Sequence, residues 1–152
     1  MYLTGIHEKD FSWIPVEMQA RIGFAMNAQA HTIAVIDDDP RVLESLLNFL
    51  ASCGYKAESY LSAEQFLGSG GLSKCMCIIA DIEMRAMSGL DLLQHIRSSS
   101  CAVPVVIITG KPSENSEPFY LERGAIGFFR KPVDCDALMD LIGSVCSRSD
   151  PE

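Results

Sequence analysis

From Thr32 onward the chain alternates short β-branched runs with stretches whose apolar residues recur every three or four positions. That alternation builds a parallel sheet with helices packed on its faces. Thr32-Ile-Ala-Val-Ile36 is the first run. Asp37-Asp38-Asp39 and Pro40 follow, with Asp39 suited to cap a helix and Pro40 to open it. Leu43, Leu46, Leu47 and Leu50 keep helical spacing up to Gly54. Lys56 to Tyr60 reads as a second strand. Ser62-Ala-Glu-Gln65 resembles a capping box that opens a short helix, ended by Gly68-Ser-Gly-Gly71.

Cys75 to Ala80 reads as a buried third strand that delivers Asp81 at its carboxyl end, before a loop and a helix presenting Leu90, Leu93 and Ile96. Val103 to Ile108 forms the fourth strand, ending at Thr109-Gly110, and Ala125 to Phe129 the fifth, ending at Lys131-Pro132. A last helix, from Asp134 to Cys146, buries Leu138, Leu141, Ile142 and Val145. The polar stretch from Lys111 to Arg123 holds Pro112 and Pro118, so its helix is expected to be short and mobile, with Pro118 near the start. The expected class is α/β, a doubly wound five-stranded parallel sheet.

At 152 residues and 48% hydrophobic, the chain suits one core plus a short appendage. The net charge of −8, with no Lys/Arg-rich run, argues against direct nucleic-acid binding. No apolar stretch approaches the roughly 20 residues needed to span a bilayer, and the start lacks signal-peptide features. A cytoplasmic protein away from the membrane is expected. The six cysteines show no C-x-x-C unit and are expected to be reduced core thiols. Cys75 and Cys77, two apart on a strand, should face one side.

Ligands of open parallel sheets bind outside the carboxyl ends of the strands, and the unusual polar residues cluster there. Asp37 and Asp38 follow strand one, Asp81 strand three, Thr109 strand four and Lys131 strand five. Three gathered carboxylates repel one another and call for a cation; hard oxygen ligands in small number suit Mg²⁺ or Mn²⁺. A carboxylate beside such a cation can attack a phosphoryl donor while a lysine and a hydroxyl stabilise the transferred oxygens. Asp81, Lys131 and Thr109 fit these roles.

The ordered segments Val35-Ile-Asp-Asp-Asp39, Asp81-Ile-Glu-Met84, Met87-Ser-Gly-Leu-Asp-Leu-Leu93, Ile108-Thr-Gly110 and Lys131-Pro132 resemble the receiver domain of two-component response regulators. Ser62-Ala-Glu-Gln-Phe-Leu67 is similar to the FixJ-like subgroup, whose receivers usually precede a helix-turn-helix domain. The resemblance implies a CheY-like sheet of order 2-1-3-4-5. It also implies phosphorylation of Asp81 by a sensor histidine kinase or phosphotransfer protein, direct metal ligation by Asp38 and Asp81, and support from Asp37 through the surrounding shell. The Glu83 backbone carbonyl would complete the ligand set. Lys131 and Thr109 would hold phosphoryl oxygens, and Phe128 would be the aromatic switch. The readout surface would be the fourth helix, fifth strand and last helix, aimed at a protein target.

The family usually has proline where Arg85 stands, which leaves the rigidity of that loop open. Glu83 and Lys111 occupy the positions that flank the phosphorylation site in the family, and their pairing is expected to slow hydrolysis. His95 reads as an exposed helix residue. The division expected is residues 1–30 as an extension, helical or in part disordered, and residues 31–148 as the receiver, with no output domain in this chain. Val16, Met18, Ile22, Ala25 and Met26 can share one helix face, and Phe11, Trp13 and Ile14 add apolar surface that the domain or a second subunit would cover. Met26 is an alternative natural start.

The expected character is a self-phosphorylating acceptor, not a turnover enzyme. Two rivals stand beside it: an aspartate-nucleophile phosphatase of the haloacid-dehalogenase type, for which Asp37-x-Asp39 is a partial motif broken by Arg41, and a degenerate receiver that is never phosphorylated. A dinucleotide-binding domain is disfavoured because three carboxylates stand where G-x-G-x-x-G would be needed.

Overall fold

A computed structural model describes residues 32–110 and 117–149. Strand β1 (Thr32–Ile36) is fully buried over four of its five residues. The chain then turns through the acidic run into α1 (Pro40–Ser52), where the Asp39 side chain accepts from Arg41 N–H and Pro40 needs no donor in the first turn. Strand β2 (Ala57–Tyr60) lies at one edge of the sheet. Ser62 caps α2 (Ala63–Gly68) by accepting from Gln65 N–H. Gln65 reaches back to Leu61 N–H at 2.7 Å, one residue before the cap, so the expected box closes on a different donor.

A 3₁₀ turn (Gly71–Ser73) leads to β3 (Cys75–Asp81) in the middle of the sheet. Helix α3 (Gly89–Ser98) opens on a full capping box between Ser88 and Asp91. Leu93 and Ile96 are buried and Leu90 packs partly buried against the same core, as expected, and Leu92 widens that face. Strand β4 (Val105–Thr109) begins two residues later than the sequence suggests, because Pro104 has no N–H to donate and offers only its carbonyl, to Ile78 N–H. Helix α4 (Glu117–Glu122) is short, with Pro118 as its second residue. Strand β5 (Gly127–Arg130) also starts two residues late, and α5 (Cys135–Ser149) closes the fold.

All pairings are parallel, in the order β2-β1-β3-β4-β5. Each face of the sheet carries its own core. Leu43, Leu46 and Leu50 of α1 with Leu138 and Ile142 of α5 cover Val35, Cys77, Ile79, Val106 and Ile108. Phe66 of α2, Leu92, Leu93 and Ile96 of α3 and Tyr120 of α4 cover Ile36, Ile78, Ala80, Val105 and Ile107. Burial of both faces explains why the central strands read as continuous apolar runs without alternation.

One irregularity overturns an expectation. Thr32 pairs with Cys75 but Ile33 pairs with Cys77, so Met76 is an extra residue in β3. A bulge of this kind breaks the two-residue alternation. Cys75 therefore packs toward the α2/α3 side and Cys77 toward the α1/α5 side, rather than both facing one way. Cys53, Cys75, Cys77, Cys101 and Cys135 are reduced thiols. Cys77 alone of these is fully buried, and Cys53 is exposed at the end of α1, so the expectation of core thiols holds only in part. No helix among the described residues is long and apolar enough to cross a membrane. The expected features of residues 1–30, the roles of Lys111 and Pro112, and the side chain of Cys146 lie outside the described residues.

Candidate functional site

Among the described residues, the buried polar side chains are Asp37, Asp81 and Thr109. Each stands at the carboxyl end of an inner strand: Asp37 directly after β1, Asp81 as the last residue of β3, Thr109 as the last of β4. Three neighbouring strands of a parallel sheet end at one level, so side chains far apart in sequence meet at its rim.

Asp37, Asp38 and Asp81 can each direct one carboxylate oxygen so that all three lie within 4.8 Å of one another. Asp37 is fully buried and both its oxygens are engaged. Its Oδ1 accepts from Asp39 N–H at 2.9 Å and its Oδ2 from Lys131 Nζ at 2.8 Å. Asp38 is exposed. Lys131 Nζ also lies 3.5 Å from Asp81 Oδ2, so one ammonium serves two buried carboxylates. The Lys131–Pro132 peptide bond is cis, and Lys131 N–H donates to the Thr109 carbonyl at 2.8 Å, which aligns the lysine with the end of β4.

Asp81 is the electrostatically unsettled member. Burial first, then the charge of Asp37, push its carboxyl up to about 6, against the opposing pull of Lys131 and the Glu83 N–H. Its Oδ1 is buried with no hydrogen-bond partner. Burial works against the Lys131 ammonium, but its hydrogen bond to Asp37 and the charges of Asp37 and Asp81 outweigh that cost and raise its pKa. A buried carboxylate oxygen without a donor is costly, and a cation is the ordinary remedy. The donor set is all oxygen and includes an exposed ligand, so the three carboxylates form a candidate site for a hard divalent cation.

Asp39, by contrast, faces away. Its side chain caps α1 and pairs with exposed Arg41, and that backbone hydrogen bond leads the causes that hold its carboxyl low. Asp37-x-Asp39 is therefore not a pair acting on one ligand, as the phosphatase reading would need. Phe128 is half-buried on β5 and stacks on Tyr120 of α4, ring centroids 5.3 Å apart and 10° from parallel. Glu83 and Arg85 sit in the loop after β3, Glu83 partly buried and Arg85 exposed; His95 is exposed on α3 as expected.

This geometry agrees with what the chain is similar to. Residues 33–143 match the response regulator receiver domain family, and the chain belongs to it. It is 34% identical over 120 residues to the response regulator protein TmoT of Ectopseudomonas mendocina, covering 79% of this chain and 53% of that protein. It is 32% identical over 117 residues to the transcriptional regulatory protein FixJ of Azorhizobium caulinodans, covering 77% of this chain and 56% of FixJ. The solved structure of the response regulator StyR superposes with a TM-score of 0.71 at 32% identity, over 78% of this chain and 60% of that one. The chain spans about half the length of the curated relatives it matches. The CheY-like architecture and the FixJ-like affinity read from the motifs both stand.

Two residues at or near the site were not singled out in the sequence. Glu64 accepts from Met87 N–H in the loop after β3 at 3.0 Å, and Tyr120 backs Phe128. Glu64 stands in the segment read only as a helix cap, and nothing in the spacing reveals a partner 23 residues away.

Proposed function

We propose that this receiver takes a phosphoryl group onto Asp81 from the phosphohistidine of a sensor kinase or phosphotransfer protein, with Mg²⁺ as the divalent cation. The observation that carries the reading is the Asp81 carboxylate itself, buried at the end of the middle strand, one oxygen 3.5 Å from Lys131 and the other with no donor. In the transfer, an Asp81 oxygen bonds to phosphorus and the phosphorus–nitrogen bond breaks, its electron pair passing to the donor imidazole. Asp38, Asp81 and the Glu83 carbonyl would hold the cation, and Asp37, whose oxygens are already engaged, supports the shell around it. The cation supplies charge neutralisation for the transferred oxygens.

Lys131 turns from Asp81 to a phosphoryl oxygen, and the Thr109 hydroxyl donates to another. Phosphorylation can shift the domain only through contacts better made in the active state, and those two residues make them. Phe128 is the relay, moving inward as Thr109 moves and changing the surface of α4, β5 and α5 for a protein partner. A kinase of a two-component relay, a cytoplasmic setting, and a target that is either another protein or a DNA-binding segment complete the reading. A homodimer belongs to the same set of outcomes.

Acetyl phosphate with Mg²⁺ is expected to add one phosphoryl group, located on Asp81 by peptide mass spectrometry, and beryllofluoride with Mg²⁺ to shift the amide resonances of Thr109 and Phe128. A wild-type protein that takes up neither would sink the reading.

A further inference from the structure

The loop from residue 82 to residue 88 joins Asp81 to α3, and both its ends are clasped. Ile82 N–H donates to the Ile108 carbonyl at 2.9 Å, and Gly89 N–H donates back to the Ile82 carbonyl at 3.1 Å. Gly89 sits so close that a Cβ would lie 2.4 Å from the Asp81 carbonyl oxygen. Ser88 N–H is taken by Asp91 of the capping box. Between these ends the loop is sparsely bonded. The amides of Met84, Arg85 and Ala86 have no acceptor among the described residues, and Ala86 holds a φ of 61°. Among the described residues, the hydrogen bond that ties residues 84–87 to another element is the one from Met87 N–H to Glu64 Oε2 of α2, at 3.0 Å.

We propose that Glu64 is a positioning residue for the phosphoryl-transfer site: its bond to Met87 sets the path of residues 83–86 and hence the Glu83 backbone beside Asp81. The proposal rests on the function proposed above. Met84 and Met87 pack on the core beneath the loop, but among the described residues the backbone of residues 84–86 has no hydrogen bond of its own, so the bond at Met87 limits the paths left open to it. Partners that orient a metal ligand without touching the metal commonly govern affinity.

Glu64 has a simpler use as the acidic residue in the first turn of α2, where negative charge suits a helix N-terminus. The two roles need different properties. The helix needs charge; the tie needs an acceptor oxygen at full reach. Gln keeps the oxygen and drops the charge, whereas Asp keeps the charge and is one methylene short.

Glu64→Ala, Glu64→Asp and Glu64→Gln are compared with wild type by two readouts: hydrogen exchange of the Met87 amide in metal-free protein, and Mg²⁺ affinity from amide shift titration. Exchange is expected to accelerate and Mg²⁺ binding to weaken about tenfold in the Ala and Asp variants, with Gln within about twofold of wild type in both. Thermal melts confirm that each variant is folded. Unchanged Mg²⁺ affinity in the Ala and Asp variants, or a Gln variant as weak as Ala, overturns the positioning role. A wild type that binds Mg²⁺ but never labels on Asp81 overturns the phosphoacceptor reading instead and leaves these titrations valid.

Discussion

The two ends of the sheet treat charge in opposite ways. At the amino end, the Arg97 guanidinium reaches from the last turn of α3 to the carbonyls of Cys101, Val103 and Gly124, at 2.8 to 3.4 Å. Those carbonyls belong to the segments entering β4 and β5, so one side chain fastens two crossovers. Gly124 makes room for it: its φ is 105°, and a Cβ there would lie 2.8 Å from Arg97 Nε. At the carboxyl end, three carboxylates gather around one half-buried ammonium that pairs with two of them, Asp37 and Asp81, and an Asp81 oxygen has no donor. The first arrangement is closed and can only stabilise. The second is left open at a cost, and a group that arrives with positive charge or hydrogen-bond demand relieves it.

The largest effect is expected for Asp81→Asn, which should abolish covalent labelling by acetyl phosphate, measured by mass; residual labelling at another carboxylate would show that the open end is not specific to Asp81. Next, Arg97→Ala leaves three carbonyls without their donor and should cost about 2–3 kcal/mol in urea unfolding, with Mg²⁺ binding intact. A loss below about 0.5 kcal/mol would place Arg97 among ordinary surface residues.

The open end should show the reverse sign. Asp81 holds its proton up to about pH 6 in the fold, above the 3.8 of a free side chain, so the folded state binds that proton more tightly than the unfolded chain. The metal-free protein therefore loses stability as pH rises from about 4 to about 6 and stays at the lower value above that. Asp81→Asn should remove this slope and stabilise the metal-free protein at pH 7 by on the order of 2 kcal/mol. Equal melting profiles for the two proteins in chelator would mean that Lys131 neutralises the site fully. The smallest effect is expected for Asp39→Ala, about 1 kcal/mol from the lost cap, with labelling unchanged. Lost labelling would draw Asp39 into the reactive group.

The open end was largely legible in the sequence and the closed end was not. Asp37, Asp38, Asp81, Thr109 and Lys131 each stand within two residues of the end of an apolar run, so strand order alone brings them to one rim. Arg97 carries no such mark: an arginine near a helix end is ordinary, and its acceptors are backbone carbonyls up to 27 residues away that no residue type announces. The same holds for Glu64 and Met87, where a local cap signal concealed a tertiary contact. Strand starts were displaced at Pro104 and at Ala125 for a related reason. Ladder pairing depends on a neighbour's register, whereas apolar character depends on burial, and the two do not begin at the same residue.

The extra residue in β3 has a chemical consequence. On a flat strand, Cys75-x-Cys77 would be a dithiol able to chelate a soft metal or a trivalent arsenical between two sulfurs. With Met76 bulged out, the sheet itself stands between the thiols, one among α2/α3 side chains and the other beneath α1 and α5. Burial and the neighbouring Cys101 push the Cys75 thiol up to about 11, so it stays protonated at neutral pH. A reagent that needs two sulfurs on one side of this strand meets one.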